Sequence, residues 1–372
     1  MNDKKGKKIK KHFLLPAVLL FAIIAVFYIY FTRPVKIGII FSPDSSLGNE
    51  SNLAVRFFME KNKTIGIRPV RFFIKNPPLE KAALQRAYGE LEKKGVCVIL
   101  GGAVSESGVV MAEESARSGI PTFGNTASSE LLSGKKDHFY RIVMSTDFQT
   151  KGMLPWFEEC GFSRLLLLVS SVNREFSNSM AGSLEKYYTG HLLRLTYERS
   201  PRLTEKILAF APDALYCILP AHEIIRLIRD IKKEKEFRKI RIISSEWAFS
   251  FFPYYSESLL ENIIITSQHG QPSPAYGKLI KEFRETYRQP TFYTSDYTFS
   301  ILNIIYDSIR IMGDDPEILR AYFARPRVYD YVYGRVFINE YGDALHSTAY
   351  IYEMKDGKMK QIRGIPFPDF PE

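Results

Sequence analysis

Short apolar runs alternate along the chain with segments in which apolar residues recur at helical spacing. The runs predict strands, and the spaced segments predict amphipathic helices. In the first part of the chain we expect strands at 36–40, 70–75, 96–100 and 121–123, and helices at 52–61 and 79–94. Gly95 follows the second helix, where a glycine readily adopts the left-handed backbone that ends a helix. Strands that alternate with helices are typical of βαβ units in a parallel sheet.

The same alternation starts again after a break at 141–146. It predicts helices at 151–159, 179–188 and 223–233 and strands at 164–169, 192–197, 214–219 and 241–244. We interpret 262–267 as a return crossing, followed by helices at 276–287 and 295–312, strands at 332–338 and 349–354, and turns at Gly342 and Asp356-Gly357. A chain that crosses repeatedly between two α/β lobes suits a hinged clamshell. The expected lobes are 35–142 plus 270–322, and 143–269 plus 323–364.

Composition agrees with two lobes and narrows the class of function. The chain has 372 residues, 45% hydrophobic and 25% charged, which exceeds the usual size of one core. More than half of its formal net charge of +10 lies in the first 33 residues. The remaining excess does not argue for nucleic-acid binding. The scattered histidines predict no metal site, and no hydrolase, nucleotide-binding or zinc-protease motif occurs, so we expect neither a cofactor nor catalysis.

The N-terminal segment has the pattern of a membrane anchor. A lysine-rich leader at 1–12 precedes an apolar run at 13–31, which spans about 30 Å at about 1.5 Å per residue. The lysines favour a cytoplasmic N-terminus and export of the rest. A cleaved signal peptide is the alternative, but the run ends in Tyr28, Ile29, Tyr30 and Phe31 rather than in small residues. We therefore expect an uncleaved single-pass signal anchor.

The three cysteines do not form a disulfide framework. Cys97 and Cys217 lie in apolar strand runs and are predicted to be buried, whereas Cys160 lies near a helix end. The sequence leaves a single bridge among them open.

Small hydroxyl residues fill the turns after the third and fourth predicted strands. They are Ser105, Ser107, Thr126, Ser128 and Ser129. Open α/β sheets bind ligands at the carboxyl ends of their strands, and the helix start after each turn attracts an anion. The two turns therefore suit a carboxylate. For Ser105 and Ser107, simple helix capping is the alternative.

Five segments, in this order, resemble the leucine/isoleucine/valine-binding type of periplasmic binding protein, the amino-acid receptors of ABC importers. They are VKIGIIFSPDSSLG, GIPTFGNTASSEL, HFYRIVMSTDFQTKGM, GRVFINEYGD and YEMKDGKMKQI, and the likeness covers most of the chain after residue 34. It implies a two-lobed α/β clamshell of type I, with parallel sheets flanked by helices, here behind an N-terminal transmembrane helix. In the family pattern Ser105, Thr126 and Ser128 occupy the ligand-carboxylate positions. Glu246 occupies the position of the acid that receives the ligand ammonium.

The chain departs from that pattern at the aromatic positions. Amino-acid receptors commonly have an aromatic residue followed by glycine after the strand at 164–169, whereas this chain has Glu175-Phe176-Ser177. Where many have a tyrosine before the helix that is predicted here at 223–233, this chain has Pro220-Ala221. Phe176 and Trp247 remain candidates for the pocket wall, with core packing as the alternative. For Glu246, the alternative is a glutamate on the solvated surface.

Together with this resemblance, the sequence implies an extracytoplasmic, membrane-anchored solute-binding protein without enzymatic activity. Its ligand would be a small polar molecule, an amino acid or a related amide or carboxylate, captured between the lobes for an ABC importer. The partner would be the ABC permease. Two alternatives stay open: a sensory subunit that presents ligand to a signalling membrane protein, and a degenerate receptor that acts by protein contact.

Overall fold

A computed structural model describes residues 32–231, 237, 239–248, 257–288 and 293–371, and ahead of them positions 16, 18–23, 25 and 28. Most of the expected anchor at 13–31 therefore lies outside the described residues. No helix in the described part of the chain has the length and apolar character needed to cross a membrane. The rest of the described chain forms two sheets flanked by helices and a small third sheet.

The first lobe is built from the first part of the chain. Its elements are β1 (Val35–Ile40), α1 (Ser46–Lys61), β2 (Thr64–Ile65), β3 (Arg68–Lys75), α2 (Lys81–Lys94), β4 (Val98–Gly101), α3 (Ser105–Ser118), β5 (Thr122–Gly124) and β6 (Phe139–Arg141). The sheet order is β2-β3-β1-β4-β5-β6, parallel except for the short edge strand β2. Gly95 ends α2 in the left-handed conformation, as predicted.

The second lobe repeats the pattern with α4 (Thr146–Glu159), β7 (Arg164–Val169), α5 (Arg174–Tyr187), β8 (His191–Thr196), α6 (Pro201–Phe210), β9 (Ala214–Ile218), α7 (Ala221–Ile231), β10 (Arg241–Ser244), α8 (Glu257–Leu260) and β11 (Ile264–Ser267). Strands β11, β10, β9, β7 and β8 are parallel neighbours. Nearly every residue of β7 is buried, as expected for a strand covered on both faces.

The chain then returns to the first lobe and leaves it again before its last two strands. It forms α9 (Pro274–Tyr287), α10 (Tyr293–Met312), α11 (Pro316–Phe323), β12 (Arg327–Tyr331), β13 (Gly334–Ile338), β14 (Ala344–His346), β15 (Thr348–Lys355) and β16 (Lys358–Pro366). Phe57 of α1 packs edge-on against Phe283 of α9, with ring centroids 5.4 Å apart. Strands β15 and β16 extend the second sheet beyond β11. The Asp356-Gly357 turn between them has both residues at positive φ, which confirms the predicted hairpin.

Two parts of the second half differ from the sequence expectation. Residues 264–267 are the strand β11, paired with β10 and β15, so the crossing expected at 262–267 is wrong and lies at 268–273 instead. The expected division grouped 323–364 with the second lobe, but β12, β13 and β14 supply Tyr331, Val336 and Ala344, respectively, to the core of the first. Crossings between the lobes thus occur at 142–145, 268–273 and 347.

The cysteines are structurally independent of one another. Cys97 and Cys217 are buried, as predicted, and Cys160 is exposed. All three are free thiols.

Candidate functional site

A small chamber lies between the two lobes at the carboxyl ends of their sheets. We call it the inner chamber; its lining residues are Leu47, Ala103, Thr126, Ser128 and Tyr293 from the first lobe and Asn173, Phe176, Glu246 and Trp247 from the second. Five residues predicted for the ligand site are among them, whereas the predicted Ser105 and the turn residues Ser107 and Ser129 are not. Parallel strands end at the same edge of a sheet, so residues far apart in the sequence meet here.

An outer chamber adjoins the inner one and shares Leu47, Asn173 and Trp247 with it. Its other lining residues are Asp44, Ser45, Ser46, Leu79, Val104, Glu106, Val172, Pro220, Ala221 and His222. The open volume is about 20 Å³ in the inner chamber and about 360 Å³ in the outer one. In this conformation the inner chamber admits only a small group, and the outer chamber has the size of a small-molecule pocket.

A larger hollow of about 570 Å³ lies at the opposite edge of the second sheet. Residues near the amino ends of β10 and β11, among them Arg241 and Ile263, line it. It borders stretches outside the described residues, and none of the predicted site residues lines it. Because ligands of open α/β sheets bind at the carboxyl ends of strands, we take the two interlobe chambers as the candidate site.

Ser105 lies behind the chamber wall. It is the first residue of α3, only 1% exposed, and its Oγ accepts hydrogen bonds from the backbone amides of Ser128 (3.3 Å) and Ser129 (3.2 Å). Ser105 therefore holds the second hydroxyl turn against the first. The residue at the N-cap of α3 is Val104, which provides no side-chain cap, so the capping alternative for Ser105 is wrong. The uncapped amide end of α3 remains suited to an anion.

Ser107 and Thr126 have hydroxyl protons that are already used. Ser107 Oγ donates to the carbonyl oxygen of Val104 (2.9 Å), and Thr126 Oγ1 donates to that of Ala103. Thr126 therefore offers acceptor lone pairs to the inner chamber. Ser128 faces the chamber beside it, while its carbonyl oxygen accepts from the amide of Thr146 at the first crossing (2.9 Å).

Glu246 follows β10 and is 6% exposed, so the solvated-surface alternative is wrong. Its Oε1 accepts from the side-chain amide of Gln268 (2.6 Å), and its Oε2 accepts from the backbone amide of Gln268 (3.2 Å). Burial raises the pKa of Glu246 to about 7, against the lowering effect of these two hydrogen bonds. No lysine or arginine in the described part of the chain forms an ion pair with it.

His269 lies close to Glu246 but does not act as its cation. The distance from His269 Nδ1 to Glu246 Oε2 is 3.5 Å. Burial lowers the pKa of His269 well below its usual value, which keeps the ring neutral at physiological pH. Tyr293 and Tyr297 flank that ring, each with its centroid 5.1 Å away. Among the described residues, Glu246 thus has only neutral partners for a charge that burial disfavours.

Phe176 and Trp247 form the second-lobe wall as an edge-to-face pair, with ring centroids 5.7 Å apart. Both line the inner chamber, and both belong to the apolar core of that lobe. Each aromatic side chain therefore packs in the core and faces the cleft at once. The two alternatives considered from the sequence are compatible.

The lobes also contact each other directly beside the chambers. Glu106 Oε1 on α3 accepts from the backbone amide of Arg174 on α5 (3.0 Å), and the amide of Glu130 donates to Ser179 Oγ (2.7 Å). Ser179 Oγ also lies 2.6 Å from Thr146 Oγ1 at the first crossing. These hydrogen bonds join the two sides of the cleft. The conformation is closed.

Sequence reasoning missed Gln268, although the signal was present. Gln268 follows β11 directly, at the carboxyl end of the strand that neighbours β10, which Glu246 follows. Because the sequence pattern at 262–267 was interpreted as a crossing, no strand was expected there. The residue after it was therefore not a candidate for a site at the strand ends. Asn173 and Tyr293 had no comparable signal, because the first precedes α5 in a loop and the second begins a helix.

No family model matches the sequence, and no curated protein matches it. Solved structures do. A leucine-binding protein from Thermotoga maritima has 18% identity and a TM-score of 0.76, covering 90% of this chain and 100% of that one. A branched-chain amino acid transporter substrate-binding protein from Streptococcus pneumoniae, in complex with isoleucine, has 14% identity and a TM-score of 0.76 (90% and 99%). A solute-binding protein of an ABC transporter from Rhodopseudomonas palustris, in complex with 3,4-dihydroxybenzoic acid, has 14% identity and a TM-score of 0.77 (90% and 97%).

These likenesses establish the fold. The chain has the two-lobed type I periplasmic-binding fold, which confirms the α/β clamshell predicted from the sequence. Its ligand and its partner are separate questions, which depend on the chemistry of the two chambers.

Proposed function

We propose that the protein is a solute-binding protein that captures a small polar ligand bearing an amine between its lobes. The observation that carries this proposal is Glu246, a buried carboxylate in the interlobe chamber that has no cationic partner among the residues the structure describes. An ammonium group in that chamber would supply the missing positive charge, and such charge-assisted hydrogen bonds are strong. Thr126, whose lone pairs are available from the other lobe, would accept a second ammonium proton.

The charge of the lining supports an amine-bearing ligand. Asp44, Glu106 and Glu246 line the chambers, and neither chamber has a lysine or arginine among its described lining residues. A ligand carboxylate would depend on the Ser128 hydroxyl and the uncapped amide end of α3. In this proposal Ser105 acts through the turn that it holds. The ligand body would occupy the outer chamber between Leu47 and Trp247.

For the cellular role, we propose an extracytoplasmic binding domain held by the apolar run at 13–31, with an ABC permease as partner. One observation favours the sensory alternative. The run ends at Phe31 and β1 begins at Val35, so the linker spans roughly 10 Å at about 3.3–3.6 Å per residue. So short a linker would keep the amino edge of the first sheet close to the bilayer. That edge lies opposite the cleft. A receptor that delivers ligand by docking needs more freedom than a sensory subunit fixed beside its partner.

The test is a thermal-shift screen of the full chain in mild detergent, followed by calorimetric titration of hits. The panel contains amino acids, amines, amides and small carboxylates. A ligand at about a hundred times its dissociation constant stabilises by roughly 2.7 kcal/mol, enough to move Tm by several degrees. We expect hits among compounds with an amine, and we expect Glu246→Gln to weaken their binding by about 2–5 kcal/mol.

The matched control is Glu175→Gln, which removes a carboxylate at the start of α5 that lines neither chamber. It should leave affinity unchanged. Hits only among compounds without an amine, or unchanged affinity in Glu246→Gln, would remove the ammonium role. No hit with a folded protein would favour the degenerate receptor.

A further inference from the structure

Gln268 joins the candidate site to the hinge. Its side-chain Nε2 and its backbone amide donate to the two carboxylate oxygens of Glu246 (2.6 and 3.2 Å). Its Oε1 accepts from the backbone amide of Met144 (2.7 Å), in the first crossing. Gln268 itself begins the second crossing and is 1% exposed. A buried side chain of the second crossing therefore contacts both the site acid and the first crossing.

The third crossing is tied to the first by His346. Its Nε2 donates to the carbonyl oxygen of Ile142 (2.6 Å), which leaves Nδ1 to accept from the hydroxyl of Tyr331 (3.1 Å). Burial lowers the pKa of His346 to about 4, so this neutral arrangement persists at physiological pH. All three crossings are thus fastened at residues 142–144. A change in the hydrogen bond between Met144 and Gln268 therefore acts at the crossings that connect the lobes.

We propose that Gln268 is a positioning residue that couples the charge of Glu246 to the hinge, so that a cationic ligand in the chamber tightens the first crossing. This inference rests on the proposed function for the identity of the ligand. The contacts of Gln268 at the hinge are independent of that identity. Allosteric coupling of this kind is reciprocal. Tightening the crossing must therefore also favour the ionised form of Glu246.

The physical basis is the number of acceptors that Glu246 offers. Gln268 presents two N–H donors to two oxygens, and only a carboxylate accepts both as charge-assisted hydrogen bonds. A protonated Glu246 carries a hydroxyl at one of these oxygens and holds Gln268 less firmly. A ligand ammonium keeps Glu246 ionised, which fixes Gln268 and, through its Oε1, the amide of Met144.

Other titratable groups facing Glu246 keep their charge state around neutral pH. They are His269 and His346, whose pKa values burial lowers, and Tyr216, Tyr293, Tyr297 and Tyr331, whose pKa values burial raises. Two more distant carboxyls do titrate: burial raises the pKa of Asp296 to about 7 and that of Glu50 to about 9. Both remain in every variant below, so their effects cancel in the comparison.

The first experiment measures the pKa of Glu246 in the ligand-free full chain by carbon-13 NMR of labelled glutamate carboxyls. We expect Gln268→Met to raise it by about one unit, the effect of losing a hydrogen bond to a charged group. The matched control is Gln149→Met. Gln149 donates from Nε2 to the carbonyl oxygen of Met144 (2.8 Å) but does not contact Glu246, so the control should leave the pKa unchanged.

The second experiment measures hydrogen exchange of the Met144 amide at pH 6 and pH 8, corrected for intrinsic rates and for the change in global stability between the two pH values. In the wild type we expect greater protection at pH 8, where Glu246 is ionised. Glu246→Gln, which does not contact Met144, should remove this increase. A ligand found for the wild type should protect the same amide further.

An unchanged Glu246 pKa in Gln268→Met, or an equal shift in Gln149→Met, would overturn the proposal. So would an undiminished rise in Met144 protection in Glu246→Gln. If Gln268→Met does not fold, Gln268→Asn, whose shorter amide reaches only one partner, decides in its place. Failure to find any ligand would count against the proposed function, whereas both ligand-free measurements would still decide this inference.

Discussion

Asp343 and Glu246 are buried almost equally, at 7% and 6% exposure, yet their carboxylates are supported in different ways. Asp343 accepts from the guanidinium of Arg141 (2.6 Å) and from the amide of Gly134 (2.8 Å). Arg141 is itself 1% exposed and also donates to the carbonyl oxygen of Ser129 (2.9 Å). Glu246 has the neutral amides of Gln268 and no arginine or lysine in the described part of the chain.

The difference separates a structural carboxylate from one that suits a ligand. A buried charge is costly unless it is paired, and Asp343 has its cation inside the fold. Arg141 and Asp343 together hold the turn that carries Ser129 and so belong to the framework of the site. Burial raises the pKa of Glu246 to about 7, a perturbation typical of functional positions. In our proposal, the cation that pairs with Glu246 is the ammonium group of the ligand.

The largest effect is expected where the internal pair is broken. Arg141→Met leaves Asp343 buried without its cation and should lower the free energy of unfolding by about 3–5 kcal/mol. Urea unfolding at pH 7 measures this loss. The double variant Arg141→Met/Asp343→Leu removes both charges and should recover most of it. A single variant as stable as the wild type would show that Asp343 does not depend on Arg141.

Glu246→Gln should act in the opposite direction in the ligand-free protein. The pKa of about 7 in the folded protein lies above the usual glutamate value of 4.5. The contribution of Glu246 to the free energy of unfolding is therefore fully present below pH 4.5 and is lost as the pH rises through 7. Glutamine undergoes no such loss, so the variant should match the wild type near pH 4 and exceed it at pH 8 by on the order of 3 kcal/mol.

Urea unfolding at the two pH values measures that gain, and Asp343→Asn provides the contrast. Asp343→Asn weakens an existing ion pair, so it should destabilise at pH 8. If both variants destabilise at pH 8, the distinction between the two carboxylates is wrong. The expected gain from Glu246→Gln would also mean that the chain sacrifices stability to keep an acid in the chamber.

The strand-end rule explains why much of the chamber could be predicted from sequence. Thr126, Ser128 and Glu246 each follow a parallel strand, and the fold brings those strand ends together. The rule places a residue at an edge but does not say which way its side chain points. Ser105 satisfies the rule and still lies behind the wall, because its hydroxyl accepts from the amides of another turn.

The remaining errors arise from long-range contacts. The apolar run at 264–267 is short, and periodicity alone does not distinguish a buried strand from a connection. The lobe assignment of β12–β14 depends on packing against α10, where the rings of Tyr297 and Tyr331 stack with centroids 6.3 Å apart. Nothing local in the sequence specifies that partner. Gln268 was missed for the same reason, since its role depends on a strand whose neighbours are distant in the chain.

Asp296 is a third buried carboxyl to compare with Asp343 and Glu246. Changing its hydrogen-bond donor should have the smallest effect of these variants on the free energy of unfolding. Burial raises its pKa to about 7, and its single described hydrogen-bond donor is the hydroxyl of Tyr333 (2.7 Å). Tyr333→Phe should cost about 1 kcal/mol below pH 6 and more at pH 8, because hydrogen bonds to charged acceptors are stronger. Tyr331→Phe is the matched control: its hydroxyl contacts the neutral His346, so its cost should not change between these pH values. Urea unfolding of both variants at pH 6 and pH 8 measures the difference. A pH-independent loss in Tyr333→Phe would mean that the Asp296 charge is supported elsewhere, as that of Asp343 is.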